Sequence, residues 1–323
     1  TGTLQIPEGL KYVSGFSATK ITSVQFPSTL EEIGGNAFSP CQSLLTEISF
    51  PESVRVIGSS AFSSSAIKGN LPFPHNLETI GSSAFTGCSS LTGSLVIPDK
   101  VEIIPSSAFY SCGFTGTLTL PKGLVEIGSS AFSGTKFKGE LIIPSSVATI
   151  GSRAFGSTLF NGTLVLPSEL ISLDSEVFSC CWRLSGVVEI PENIVAIPSQ
   201  LFYGCTGLEG IKLHKDVEVI ESYAFTCTGV YSIVCEAKNP PTINSNSFNG
   251  VAKDNFTLEV PEASVARYRS ASNWSEFKRI AAHREFSISR NLFRTLNAEH
   301  SKSFVLRAPS GENWSVESKP DWV

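Results

Sequence analysis

Apolar and polar positions follow one recurring order along most of the chain. Two apolar residues alternate with polar neighbours and a proline follows. Further apolar positions come three and six residues after it, and an Ala-Phe pair closes the unit. The proline-to-phenylalanine interval is eleven residues in Pro27–Phe38, Pro51–Phe62, Pro74–Phe85, Pro98–Phe109, Pro121–Phe132, Pro144–Phe155, Pro167–Phe178 and Pro191–Phe202. It recurs in His214–Phe225, where histidine takes the proline position. Successive phenylalanines lie 23 or 24 residues apart. Self-similarity at that period predicts a solenoid, in which each unit buries its apolar side only by stacking on its neighbours.

In the unit Gly93–Phe114, Leu95 and Ile97 alternate with Ser94 and Val96, so one side of a short strand faces the core. Pro98 removes a backbone donor and ends that strand. Val101 and Ile104 return to the core. A turn follows, often at glycine (Gly34, Gly58, Gly81, Gly128, Gly151), where a positive φ is expected to be cheap. The rings of the Ala-Phe pairs are expected to stack into a spine, and a last apolar residue such as Phe114, Phe137, Phe160 or Leu184 seals the return. The unit is too short to hold a full crossover helix. The prediction is a mainly β solenoid with one parallel strand per 23–24-residue repeat and turns or very short helical segments elsewhere.

The string L-x-I-P-x-x-V-x-x-I-G-x-x-A-F-x-x-C resembles the BspA-like leucine-rich repeat family of bacterial surface proteins. It reads most fully at Leu77, Ile80, Gly81, Ala84, Phe85 and Cys88, and again at Val217, Ile220, Ala224 and Phe225. The resemblance covers about 1–250. It implies a leucine-rich repeat solenoid on an extracellular or cell-surface protein used in adhesion to host proteins or other cells, without a catalytic site. Anchoring is then expected through a segment absent from this chain, as is any signal peptide.

After the repeats, Asn239-Pro240-Pro241 breaks the pattern, Phe248 is a last degenerate repeat residue, and Leu258–Val260 restores one strand. Ala263–Ile280 spaces Val265, Tyr268, Trp274, Phe277 and Ile280 as an amphipathic helix would. Such a helix would cover the open end of the solenoid, whose terminal strand otherwise invites edge-to-edge association. The expected organisation is therefore a solenoid over 1–280, its C-terminal cap about 229–280, and a separate β segment over 285–323. In that last segment Phe286–Ser289, Phe304–Leu306 and Trp314–Val316 read as strands. They resemble the first half of a BACON domain, an immunoglobulin-like module often found beside carbohydrate-active proteins, and imply a partial β-sandwich-like tail. The segment is far shorter than the ~100 residues of such a sandwich.

Composition narrows the function classes. Hydrophobic residues make up 41% and charged residues 16%, which suits a folded chain with a continuous core. The net charge is −5, and basic residues form no run, which argues against a nucleic-acid partner. No stretch reaches the ~20 apolar residues that span a bilayer. Cys41, Cys88, Cys112, Cys181 and Cys205 each sit three residues after a repeat phenylalanine. Stacked units ~4.8 Å apart would put Cys88 near Cys112 and Cys181 near Cys205, but parallel side chains leave their Cβ atoms too far apart to bridge easily. They read as small buried hydrophobes, and without CxxC pairs or a histidine in the same slot zinc is not expected. His75, His214, His283 and His300 fall in four different contexts and read as surface or turn residues. With no G-x-S-x-G, HExxH, P-loop or dinucleotide fingerprint, the expectation is a non-catalytic protein without cofactor or metal.

Candidate binding residues come from the strand itself. Two residues before the proline, successive units place Val96, Thr119, Ile142 and Val165 on the side that alternates away from the core. Two residues earlier stand Thr117, Glu140 and Thr163. Thr, Val and Ile favour strands on any solvated sheet. The same column also reads as a mildly apolar, hydroxyl-lined docking strip for a host matrix or cell-surface protein. A glycan-binding accessory role in a surface carbohydrate-utilisation system is the alternative, suggested by the BACON-like tail. Sugars stack on rings, and the outward series holds none.

Overall fold

A computed structural model describes residues 2–283 and the strands Val305–Arg307 and Asn313–Ser315. The chain divides into two compact units, Thr1–Ala282 and His283–Val323. In the second, the two strands pair antiparallel, with Leu306 opposite Trp314. The remainder of the BACON-like segment, including Phe286–Ser289, lies outside the described residues.

The first unit is a parallel-strand solenoid. Leu95, Ile97, Val101, Ile104, Ala108 and Phe109 are all buried, as are nearly all their equivalents in other turns. The repeat rings form the spine: from Phe16 to Phe248, consecutive rings stack with centroids 5.2–6.0 Å apart and planes within 19° of parallel. Further stacked rings flank the spine in two stretches, meeting it edge-on except at Phe73, which is tilted by 60°. Phe26, Phe50 and Phe73 supply the first from just before the proline, and Phe114, Phe137 and Phe160 supply the second from the return further along.

Most turns carry the expected strand or bridge before the proline, here the front ladder, although the stretches before Pro51 and Pro74 form no strand. Each turn adds a second strand after the proline. The added strands are two residues long, such as Glu32–Ile33, Val56–Ile57 and Glu126–Ile127, each with its isoleucine buried and its neighbour outward. Two apolar positions three apart mark this corner ladder, a spacing that does not distinguish a strand from a turn. It runs as three separate parallel sheets. The breaks fall between Ile80 and Ile103 and between Leu173 and Ala196, which is where Pro105 and Pro198 follow the strand. In unbroken turns the residue in that slot donates to the preceding turn, as Gly81 N does to Ile57 O at 2.7 Å and Asp174 N to Ile150 O at 3.0 Å. Proline has no such donor.

The slot glycines have a different role from the one the sequence suggested. Gly58, Gly81, Gly128 and Gly151 keep ordinary φ; they are glycine because the turns approach closely. A Cβ on Gly81 would lie 2.3 Å from Ser59 N, and one on Gly128 would lie 2.6 Å from Ser106 N. The positive φ falls two residues later, at Ser60, Ser83, Ser107 and Ser130, with φ of 56–57°.

The position three residues after each repeat phenylalanine is a hydrogen-bonding slot. Thr135 and Thr158 donate to the carbonyl of their own Phe132 and Phe155 at 2.7 and 2.8 Å. Cys88, Cys112, Cys181 and Cys205 donate instead to the phenylalanine carbonyl one turn back, at 3.0–3.1 Å. Ser65 donates to Phe38 O in the same way. These cysteines are buried free thiols, together with Cys41 and Cys235. Burial pushes the Cys88 thiol up to about 12 and the Cys181 thiol up to about 11.

His214 departs from a surface reading. It is buried, its Nε2 lies 3.1 Å from Ile194 O, and its Nδ1 accepts from Asp216 N at 3.2 Å.

The C-terminal cap is shorter in helix than the 263–280 pattern suggested. Only Val265–Ser270 is α-helical; Asn273 then turns left-handed at φ 65°, and Arg279–Ala282 adds a final strand beside Thr257–Val260. Tyr268, Trp274 and Phe277 are nonetheless buried, with Trp274 and Phe277 in ring contact with Phe248. Their polar atoms serve carbonyls of the last turn: Tyr268 OH donates to Ala237 O at 2.8 Å and Trp274 Nε1 to Pro241 O at 2.7 Å.

Candidate functional site

The front ladder alternates core and outward side chains, so every second residue forms a column running along the solenoid. Val96, Thr119, Ile142 and Val165 all face outward, and the three aliphatic members are 60%, 70% and 69% exposed. Thr117, Glu140 and Thr163 are exposed in the companion column. Leu95–Val96 pairs with Leu118–Thr119, and a bridge joins Ile142 to Val165. Among the described residues no strand pairing links Thr119 to Ile142. Thr117 donates its hydroxyl to Ser94 Oγ at 3.1 Å, so the hydroxyls of this column partly satisfy each other.

Both ends of the columns are closed by polar pairing. On the N-terminal side Gln5 bonds Gln25 at 2.8 Å and Thr3 bonds Ser23 at 2.6 Å. On the C-terminal side Lys212 lies 2.8 Å from Glu189 and 3.7 Å from Glu236. The hydrogen bond it donates to Glu189 holds the Lys212 ammonium above the usual lysine range. Among the described residues of these columns, the exposed Val and Ile side chains fall in the middle turns, and Val187, 53% exposed, extends them by one turn. Val187 continues the companion column, four residues before Pro191 as Thr163 is before Pro167, and keeps the alternation with buried Val188 and outward Glu189.

The corner ladder repeats this division. Its outward column begins with the ion pairs Lys11–Glu31 at 2.8 Å and Arg55–Glu78 at 3.6 Å, and Glu31 is held below the usual carboxylate range by its hydrogen bond from Lys11. It continues through the exposed aliphatics Val125, Ile171 and Val195. These residues follow an apolar position within the repeat, and read linearly they merge into a run of hydrophobic residues that gives no sign of facing outward. Two ladders therefore turn aliphatic over the same central turns.

Three grooves interrupt the front face, and their positions follow from the repeat length. The intervals Phe38–Pro51, Phe85–Pro98 and Phe178–Pro191 are thirteen residues, whereas the others between Phe62 and His214 are twelve. The proline-to-phenylalanine half is constant, so the extra residue enters just before the front strand. Each longer turn splays its strand from the preceding one, leaving grooves of about 480 Å³ between Gln25 and Ser49, 550 Å³ between Phe73 and Val96, and 630 Å³ between Val165 and Val187. The alternation between 23 and 24 residues was the available signal for these grooves.

Among the described residues no group of three or more His, Cys, Asp or Glu side chains could hold a metal ion, and no helix is long and apolar enough to cross a membrane. His75, exposed, lies 3.4 Å from Glu52 at the proline turn.

Comparison with known proteins agrees with the repeat geometry. The description "BspA type Leucine rich repeat region" matches in 6 copies over residues 12–138, 91–188 and 125–255. No curated protein matches the chain. Similar solved structures include a leucine-rich repeat protein from Bacteroides ovatus, 24% identical over 87% of this chain and 92% of that one, with a TM-score of 0.49. The pneumococcal vaccine antigen PcpA is 17% identical over 87% and 85%, with a TM-score of 0.49. A leucine-rich cell surface protein from Faecalibacterium prausnitzii is 21% identical over 93% and 91%, with a TM-score of 0.43. At these scores the likenesses carry no argument of their own; the repeat matches do, and by them the chain belongs to the BspA-type leucine-rich repeat family.

Proposed function

We propose that this protein is a non-catalytic scaffold of a bacterial surface that binds a protein partner, a host matrix or cell-surface protein, on its front strand face. The observation that carries the reading is the aliphatic column Val96, Ile142 and Val165, exposed between ends that close their own polar groups. A solvated sheet with no binding role has no reason to leave its aliphatic residues together and pair its charges elsewhere. Family membership supports the surface setting and the protein-binding class. A glycan ligand is less favoured: the exposed rings Tyr12, Tyr110, Trp182, Tyr223 and Tyr231 all lie outside the front strands.

The test is Ile142→Lys. Its side chain is 70% exposed between buried Leu141 and Ile143, so a lysine there meets water in the free protein and the melting curve is expected to stay unchanged. Against a partner the ammonium would be desolvated without a counter-charge, costing several kcal/mol of affinity, about a hundredfold or more. The partner is drawn from an array of matrix proteins and polysaccharides, and affinity is read by surface plasmon resonance. Glu102→Lys, an exposed change just before the corner strand, is the matched control and should bind normally. Unchanged affinity for Ile142→Lys would move binding off this face.

A further inference from the structure

We propose that the groove between Val165 and Val187 takes a lysine or arginine side chain from an extended segment of the protein partner. This rests on the docking reading of the front face and specifies the partner's chemistry.

The groove is opened by the backbone. Strand pairing between these turns stops at Thr163–Ser185, and beyond Gly186, at φ +74°, Val187–Glu189 pair with the following turn, with a register shift between Gly186 and Val187. The resulting space of about 630 Å³ falls within the ~300–1,000 Å³ of ligand-holding clefts. Val165 and Val187 give it an aliphatic surface. Its mouth is acidic: Glu169 and Glu192, on the two proline turns, line it together with Glu189. Glu189 is engaged by Lys212, whereas neither Glu169 nor Glu192 makes an ion pair among the described residues. Lys215, the cation near Glu192, is held by Asp216 at 2.5 Å.

An aliphatic surface beneath carboxylates matches one kind of side chain, a long hydrocarbon stem ending in a cation. The main chain of 164–166, without a strand partner on the Val187 side, lies open to an extended segment. The other two grooves lack this combination. In the first, Glu8 bonds Ser28 through both its amide, at 3.2 Å, and its hydroxyl, at 3.1 Å; the second has no carboxylate in its lining.

The experiment uses the full chain and fluorescein-labelled peptides alternating threonine with lysine, arginine or glutamate, with binding read by anisotropy at low and physiological salt. The lysine and arginine peptides are expected to bind and the glutamate peptide not to bind. Glu169→Gln/Glu192→Gln should weaken binding about tenfold through loss of two charge-assisted contacts. Glu126→Gln/Glu218→Gln makes the same change in net charge on the corner ladder and should change affinity less than about twofold. Equal losses in the two double variants would mean general attraction to an acidic protein and would overturn the proposal. Absence of basic-peptide binding would overturn it, as would displacement of the peptide by a neutral glucose hexasaccharide. If Ile142→Lys abolishes binding of the array partner while Glu169→Gln/Glu192→Gln leaves it intact, the groove proposal fails alone and the front-face reading stands.

Discussion

Removing one ring from the spine tests whether the solenoid is held by stacking. Phe132 is fully buried, stacks on Phe109 at 5.5 Å and on Phe155 at 5.7 Å, and meets Phe137 edge-on at 6.2 Å. Phe132→Ala removes the transfer energy of a buried ring and leaves a cavity that neighbouring turns, fixed by their own backbone bonds, fill only in part. That combination costs about 3–5 kcal/mol. Two lost stacked pairs, at ~0.5–1.5 kcal/mol each, place the value towards the upper half of the range. Phe16 is half-buried and, among the described residues, stacks on Phe38 alone, at 5.6 Å. Phe16→Ala should therefore cost about 2 kcal/mol or less. The assay is urea denaturation followed by far-UV circular dichroism. A solenoid's stability is nearly a sum of neighbour interfaces, so Phe132→Ala, which weakens two, should also broaden the transition or lower its slope. Equal losses at the two positions, or a loss below ~1 kcal/mol at Phe132, would refute the stacking account.

Two further predictions concern the turns and the thiols. Gly128→Ala should cost about 1–3 kcal/mol, because its Cβ would meet Ser106 backbone at 2.6 Å, while Ser130→Gly, at φ 56°, should be neutral or stabilising by up to about 1 kcal/mol; thermal melts decide both signs. A thiol reagent at neutral pH should label Cys180 and Cys227 in the native protein and the remaining six of the 8 cysteines only after unfolding. The buried thiols stay protonated in the fold when the unfolded chain already ionises. The stability they confer is complete below about pH 9 and falls as pH rises towards about 11 for Cys181 and about 12 for Cys88, by ~1.4 kcal/mol per pH unit for each such thiol. Urea midpoints that stay constant above pH 9 would contradict this.

The repeat made the fold legible because each apolar position recurs in register, so the buried faces of Leu95, Ile97, Val101, Ile104 and Phe109 could be read from spacing alone. The corner ladder was not legible: a two-residue strand has no periodicity, and its continuity depends on an amide in the slot where Pro105 and Pro198 withhold one. The slot glycines misled for a related reason. Glycine signals either a positive φ or a close approach, and only stacked coordinates distinguish Gly81, which lacks room for a Cβ, from Ser83, which takes the left-handed turn. At the candidate site, outward-facing Val96, Ile142 and Val165 followed from alternation, and so did Val187 in the companion column, but the end of strand pairing between their turns after Thr163–Ser185 did not. The cap residues Tyr268, Trp274 and Phe277 were identified, although as one helix. Their burial follows from the aromatic end of the spine at Phe248, and the backbone accommodates it by breaking at Asn273.

The division within each repeat explains how one scaffold can be both regular and specific. The half from proline to phenylalanine holds the corner strand, the close turn and the spine ring, all of which touch the turns before and after. Its length is constant at eleven residues from Pro27 to Phe225, because a shift there would misplace every stacked contact at once. It differs in the first turn, Pro7–Phe16, which among the described residues has a neighbour on one side only. The half from phenylalanine to proline crosses the return and the front strand, and an added residue there only splays one strand from its neighbour. Stability is thus concentrated where length is constant, and surface variety where it is not. The three added residues open three grooves without disturbing the rings beneath: Phe85–Phe109 and Phe178–Phe202, which span two of them, stack at 5.6 Å, like the rest of the spine. What distinguishes the grooves is then the chemistry of a few side chains at their edges, and in the groove beside Val187 that chemistry is an aliphatic surface with two carboxylates that make no ion pair among the described residues, Glu169 accepting only a 3.5 Å bond from the neighbouring Ser168 hydroxyl.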